Sequence, residues 1–283
     1  RTLASAAAAA AAASATPPAT SSAAKLTLAA HPSPLATSAA IFGAANGLGL
    51  ALSLAADTHL HLDLIGTGVF AASALALARG AQDVRHALSA ALISTWAAKL
   101  AGFLFYRALQ VRRDTRLEET LSTASGAAGF WTISFAWGWL VSLPHTLAAG
   151  VPSAALPRVS RLHVGASLSI ALAGLALETA ADWTKWDFKK DPANRGRFCD
   201  EGVWRLSQHP NWLGNLLLWS GVVALNAPTL LAPVGTRWGR FAAACVSPVF
   251  MVLLFYGQAT GKVSPALEQA EARYGSLSGY REY

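Results

Sequence analysis

The amino-acid sequence predicts an all-α fold, a polytopic membrane bundle of about seven transmembrane helices. Charged residues make up only 13% of the 283 and hydrophobic residues 53%, at a mean hydropathy of +0.38; a soluble domain carries roughly 25% charged residues. Apolar stretches of about 20 residues, the length that crosses a bilayer, recur between short charged intervals. Ten Trp against one Met, with 23 Gly and 13 Pro, suit a chain that anchors rings at membrane interfaces and breaks its helices. Two cysteines, Cys199 and Cys245, form neither a disulfide framework nor a paired zinc motif, so no metal is expected. The net charge of +7 gathers in no basic tract interleaved with aromatics, which assigns it to a membrane surface and not to nucleic acid.

Residues 1–32 are rich in Ala, Ser and Thr, carry Arg1 and Lys25, and precede the first acidic residue, Asp57. That is the chemistry of a transit peptide or of a disordered tail, and it leaves one domain over 33–283. Seven apolar segments follow, near 35–56, 64–82, 86–108, 124–150, 162–182, 211–232 and 240–260. Within the first, Gly47-x-Gly49 has no preceding strand and no third glycine, so it is no dinucleotide fingerprint. The second is short, bordered by Asp63 and Arg79, and the third encloses Lys99. The fourth lies in an uncharged run too long for one helix, which Pro144 and Pro152 divide. Pro210 is placed to open the sixth. No repeat of fixed period appears.

Lys and Arg collect on the non-translocated side of short loops. Arg107, Arg112, Arg113 and Arg116, then Lys185, Lys189, Lys190, Arg195, Arg197 and Arg205, then Lys262, Arg273 and Arg281 fall on one face. These thirteen stand against eight on the other face, with Lys99 inside a helix. Seven spans put the C-terminus on the basic face and the N-terminus opposite. In a chloroplast or mitochondrion, the basic face is then stroma or matrix.

An ionisable group within a spanning segment marks a functional site by default. Glu178, Asp182, Lys185 and Lys189 recur at spacings of four, three and four, which places them on one helix face. They are either a solvated helix end with two ion pairs or the wall of a site. The loop DPANRGRFCDEGVWRLSQHPNWLGN, residues 191–215, adds Asn194, Arg197, Gln208, His209, Asn211 and Asn215. Arg suits phosphate, Asn and Asp suit ribose hydroxyls and amides, and a helix opened by Pro210 directs free N–H groups at an anion. Trp183, Trp186, Trp204 and Trp212 form the surrounding belt.

Glu178, Asp182 and Lys185, then Gly202-x-Trp204, Ser207-x-His209-Pro210-Asn211-Trp212 and Gly214 resemble the steroid 5α-reductase-like membrane proteins, in particular their DUF1295 branch. Trp96 to Arg107, Asp114-x-Arg116, Phe130-Trp131 and Leu143-Pro144 upstream, and Leu267-Glu268, Arg273-Tyr274 and Tyr280-x-Glu282-Tyr283 downstream, extend the resemblance over roughly residues 60 to 283. It implies a reductase that binds NADPH in a polar cavity on the basic side and reduces a C=C bond conjugated to a carbonyl in a sterol-like or isoprenoid lipid. By motif, Asp182, Arg197 and Asn211 correspond to cofactor-contacting positions, Lys189 replaces a basic one, and His209 belongs to the branch. Glu178, Lys185, Asn194 and Asn215 complete the expected cofactor-binding set. Two departures remove charge from that pocket, Asn215 where the family carries Glu and Gln208 where the branch carries Arg, and no Gln-x-x-Glu element is recognisable in the first two helices.

Tyr106 and Tyr256 are the candidate catalytic donors, since a phenol can donate to a developing enolate without bearing charge. Two other functions stay open: a methyltransferase using S-adenosylmethionine, because isoprenylcysteine methyltransferases resemble the C-terminal half, and a non-catalytic membrane subunit of an organellar complex. Membrane lipids are partners in every case, and the expected location is an organellar membrane, chloroplast ahead of mitochondrion, with the endoplasmic reticulum a further choice. Elsewhere, Asp57 to Asp63 alternates potential metal ligands but reads as a solvated turn, Lys99 points inward rather than snorkelling, and His86 and His145 read as interface residues. Ser207 and His209 have no orienting acid in sequence, which leaves a hydrolase without support.

Overall fold

The computed structural model describes residues 32–283 apart from 57, 59, 80–82, 112–120, 264–265 and 281. The alanine-rich leader with Arg1 and Lys25, and Asp57, His59, Arg112, Arg113, Asp114, Arg116 and Arg281, lie outside the described residues. Every regular element among the described residues is helical: α1 (Pro34–Ala56), α2 (Leu62–Ala78), α3 (Val84–Val111), α4 (Ala124–Val141), α5 (Leu143–Ala149), α6 (Arg161–Lys190), α7 (Pro210–Leu230), α8 (Arg237–Ala259) and α9 (Ala266–Tyr274), with three 3₁₀ turns at Ser153–Ala155, Pro192–Asn194 and Gly202–Arg205. Helices α1, α3, α6, α7 and α8 are long and apolar enough to cross a membrane. Of the other two expected spans, α2 has only 17 residues, and the 18 residues of α4 are rich in Gly, Ser, Thr and Trp, which lowers their hydropathy. Five helices therefore meet the requirement where seven are expected.

Local chemistry sets the helix ends. Asp83 caps α3 by accepting from Arg85 N at 2.9 Å, and Thr123 and Ser160 cap α4 and α6 by accepting from Gly126 N and His163 N. Burial pushes the Asp83 carboxyl up, but the hydrogen bonds and charge of Arg85 outweigh it and hold the group below its usual range. The fourth apolar run divides at Ser142, and Pro144 sits in the first turn of α5, where its missing N–H costs nothing. Inside α7, Pro228 cannot donate to the Ala224 carbonyl, and His163 Nε2 from α6 donates to it instead at 3.0 Å. Arg240 closes the same helix by donating to the carbonyls of Leu230, Val234 and Ala232 at 2.8, 3.0 and 2.9 Å.

Small residues bring the helices together, as expected where lipid removes the hydrophobic incentive to associate. A Cβ on Gly174 would overlap the Gly214 carbonyl oxygen, one on Gly214 would overlap Glu178 N, and one on Gly221 would overlap Ala171. Antiparallel α6 and α7 thus touch backbone to backbone. On the other side of the bundle Gly49 lies under Trp131 and Gly138 under Phe42. Between them is an aromatic core in which Phe70 meets Phe42, Trp96 and Trp137 edge-on at 5.1, 5.1 and 5.0 Å, and Trp96 meets Trp219 at 5.3 Å.

Contacts between helix ends give the directions. Ser53 late in α1 accepts from Trp131 early in α4, Ser38 at the start of α1 meets Ser142, and His86 at the start of α3 reaches the Leu77 carbonyl at the end of α2. The long helices alternate, so Arg107, Lys185, Arg197 and His209 gather at one end, and Asp83, Arg85, His145 and Arg240 at the other. The two histidines expected at an interface are instead buried in the bundle, their rings stacked at 4.1 Å. His145 tolerates burial because its Nε2 donates to the Ala74 carbonyl while Nδ1 bonds Ser89 Oγ; His86 bonds only through Nε2, to the Leu77 carbonyl. His61, from the alternating Asp57 to Asp63 motif, bonds the Gly49 carbonyl at 3.0 Å and Ser53 Oγ at 3.2 Å.

Candidate functional site

The close approach of α6 and α7 places Glu178 against Asn215, and α3 supplies the third wall. Glu178 is 3% exposed. Its Oε2 accepts from Trp96 Nε1 at 2.9 Å and its Oε1 from Asn215 Nδ2 at 3.4 Å. One turn along α6, Asp182 accepts from Lys99 Nζ at 2.7 Å, and the same ammonium lies 4.0 Å from Glu178. Two carboxylates and one ammonium are thus held in the bundle by geometry that satisfies each of them, the condition under which buried charge is tolerated. At Glu178 and Asp182 the mixed-sign stripe is not a solvated helix end, whereas Lys189 is exposed.

Outward from this cluster the site turns basic and aromatic. Lys185 Nζ stands 3.8 Å over the Trp204 ring, and Trp204 Nε1 donates to the Ala181 carbonyl at 2.8 Å. That bond fastens the loop onto α6. Gly202 makes the turn possible, with φ of 52°, a conformation side-chain-bearing residues avoid. Asn194 Nδ2 donates to the Phe188 carbonyl, and Arg197 donates to Asn194 Oδ1 at 2.8 Å, with its side chain 53% exposed and Asp200 at 3.7 Å. Phe198 and the buried Cys199 follow, and the rings of Tyr274, Tyr280 and Tyr283 pack around Phe198 at 6.3, 5.4 and 4.9 Å. Burial raises the Cys199 thiol and pushes the Tyr283 phenol up to about 12.

His209 precedes α7 with its ring flat on Trp212 at 3.6 Å, and Trp212 lies flat on Phe255 of α8 at 5.0 Å. Burial, with Lys185 nearby, holds the imidazole down to about 4, so it is neutral at physiological pH. Asn211 in the first turn of α7 and Asn215 one turn later each bury a side-chain carbonyl oxygen that has no hydrogen-bond partner. Trp186 Nε1, on α6, is a buried donor in the same condition.

The structure therefore brings Glu178, Asp182 and Asn215 into one cluster, sets Lys185, His209 and Asn211 beyond it toward the basic end, and leaves Asn194 and Arg197 on the outer loop. Lys189 lies exposed near the end of α6, within electrostatic reach of Lys185. Tyr106 packs at the outer rim against Trp183 and Trp186 at 6.4 and 5.8 Å. Tyr256, 59% exposed, carries Lys262 over its ring. Neither tyrosine touches the buried cluster. Two members of that cluster escape the loop-centred reading of the sequence, Trp96 and the paired role of Lys99. Their signal was available: they are three apart on one face of an apolar helix, and Lys99 is an ion within a span.

A family model described as a protein of unknown function, DUF1295, matches residues 50–283. Comparisons with curated proteins and with solved structures find no significant match.

Proposed function

The chain belongs to the DUF1295 family, and from that premise we propose that it is an NADPH-dependent membrane reductase of a C=C bond conjugated to a carbonyl in a sterol-like or isoprenoid lipid, as its resemblance to the steroid 5α-reductase-like proteins implies. The observation that carries the reading is the buried cluster of Glu178, Asp182, Lys99 and Trp96 beneath a basic, tryptophan-lined mouth. The donor set fits a dinucleotide. The unpaired oxygens of Asn211 and Asn215 suit ribose hydroxyls or an amide, and Lys185, Lys189, Arg107 and Arg197 suit phosphates. NADPH bound there supplies the hydride. The protein's share is to hold these groups on rigid helices, to keep water out with the Phe70, Trp96 and Trp219 core, and to anchor the lipid beside them.

In this reading α1, α2, α3, α4, α6, α7 and α8 all span the bilayer, the basic end faces the stroma or matrix of an organelle, chloroplast ahead of mitochondrion, and the lipid enters from the membrane. A second reading draws on one observation. Glu178 is already satisfied by Trp96 and Asn215, as it would be in a non-catalytic subunit of a membrane complex that keeps the bundle. Thermal-shift titration of the detergent-solubilised protein with NADPH, NADH and S-adenosylmethionine separates the readings, because a ligand bound only by the native state raises the melting temperature. A rise with NADPH is expected; a rise with S-adenosylmethionine alone points to methyl transfer, and none with any of the three leaves the subunit reading.

A further inference from the structure

Asn211, Asn215 and Trp219 follow one another on α7 at steps of four, which sets them along one helix face about 6 Å apart per step. Each buries a side-chain polar atom without a hydrogen-bond partner: the Asn211 and Asn215 oxygens and Trp219 Nε1. Asn215 is 9% exposed and Trp219 fully enclosed. Asn215 turns its NH₂ toward Glu178 Oε1 at 3.4 Å, which leaves its oxygen directed away as a free acceptor. Trp219 has no such choice, since an indole nitrogen only donates. Its ring is packed edge-on to Trp96 at 5.3 Å and tilted to Phe70 at 5.6 Å. Trp96, Trp131 and Trp204 each give their N–H to an oxygen at 2.8 to 3.0 Å; Trp139 and Trp186 share the unpaired state of Trp219, but of these three Trp219 alone follows Asn211 and Asn215 on the same face of α7.

A buried polar group left unpaired costs stability that a ligand restores by pairing with it. Read from the basic end inward, the face presents an acceptor, an acceptor and then a donor. We propose that this face of α7 reads a ligand entering from the basic end, and that Trp219 donates its indole N–H to a carbonyl oxygen of that ligand at the inner limit of the site. The inference rests on the reductase reading above and names the group that would recognise its carbonyl. Two sources share that chemistry, the carboxamide of a nicotinamide and the carbonyl of a conjugated lipid. The first would also offer an N–H₂ donor to the Asn215 oxygen; the second would engage Trp219 alone.

Trp219→Phe keeps an aromatic ring in the core and deletes the donor. The variant loses no hydrogen bond of the free protein, but its smaller ring leaves space in the core and lowers the melting temperature; the control for folding is that melting stays cooperative and the other indole resonances keep their positions. The ¹⁵N-indole spectrum of the detergent-solubilised protein, with the Trp219 resonance assigned by its loss in this variant, is recorded with NADPH and with cholest-4-en-3-one. A downfield move of that resonance with NADPH, together with a Kd for NADPH weakened about three- to tenfold in the variant, assigns the carboxamide. The same move with the sterol enone, with the NADPH Kd unchanged, assigns the lipid carbonyl. If NADPH binds and the resonance stays still with both compounds, the inference falls and the cofactor reading stands. If the enone moves the resonance while NADPH does not bind, the inference stands and the cofactor reading falls. Silence with both compounds and no binding of either overturns both.

Discussion

Lys99 is the cation set against the two carboxyl groups buried in the bundle, since Asp182 takes its ammonium at 2.7 Å and Glu178 lies 4.0 Å from it. Removing one partner of a buried pair leaves the other charged and unpaired, at a cost of about 3 kcal/mol. Lys99→Met is therefore expected to lower stability by that order in denaturation of the detergent-solubilised protein. Adding Asp182→Asn to the same chain should recover much of the loss. A double variant no more stable than Lys99→Met would show that the pair is not the source of the effect.

His209 makes the pH dependence testable at the same scale. Its imidazole titrates near 4 in the folded protein because it is desolvated and lies near Lys185, against about 6.5 in an unfolded chain. A base with a depressed folded value binds its proton more readily when unfolded. Its neutral-state stability is thus complete above about 6.5 and is lost as pH falls from there toward 4. His209→Phe, which keeps a ring against Trp212, should flatten the fall in melting temperature across that interval. An identical slope in both proteins would assign the acid sensitivity elsewhere.

Among the elements, α7 is the one with a proline inside its last turns, and its continuity there depends on α6. His163 Nε2 supplies the Ala224 carbonyl with the hydrogen bond that Pro228 withholds. Cutting His163 to Ala leaves a carbonyl unpaired and should cost about 1–3 kcal/mol. Pro228→Ala restores an N–H four residues on and should reduce that cost when combined with His163→Ala. If the second change brings no recovery, the histidine acts by packing alone. The contact also bears on the site, because the same two helices meet through Gly174 and Gly214, next to Glu178. Widening either glycine would separate Glu178 from Asn215.

The whole bundle has an end rich in Lys, Arg and Trp and an opposite end where Arg85, His86 and His145 are buried and Asp83 is half-buried. Alternating helix directions place the loop from Lys185 to Arg205 at the first end, together with the segment after α8. The expected outcome in sealed membrane vesicles that hold the protein is that tags at the two termini differ in protease protection, with the loop and the C-terminal segment on the same side. Equal protection of both termini would mean that one of the two helices outside the five clear spans, the short apolar α2 or the Gly- and Trp-rich α4, does not cross.

The sequence by itself determined the class of molecule and much of its outline. Low charge and recurring apolar stretches imply a helical membrane bundle, of which five helices reach spanning length and apolarity, and the prolines at 144 and 210 stand in the first turns of helices. Of the stripe from Glu178 to Lys189 and the loop to Asn215, the fold gathers Glu178, Asp182 and Asn215 into one buried cluster. Spacing along one helix could not say what the stripe faces. Trp96 and Lys99 lie about 80 residues from their partners, and only the packing of α3 against α6 joins them, while Gly174 and Gly214 let α7 bring Asn215 to the same cluster. The inward stacking of His86 on His145 and the replacement of a proline's missing donor by His163 are likewise decided by which carbonyls another helix presents. Local sequence specifies where a backbone can form a helix, because propensity and capping act within a few residues. Whether a polar side chain inside that helix is a solvated end, a structural bond or the wall of a site is settled by partners distant in sequence, and the burial that makes each bond necessary exists only once the helices have packed.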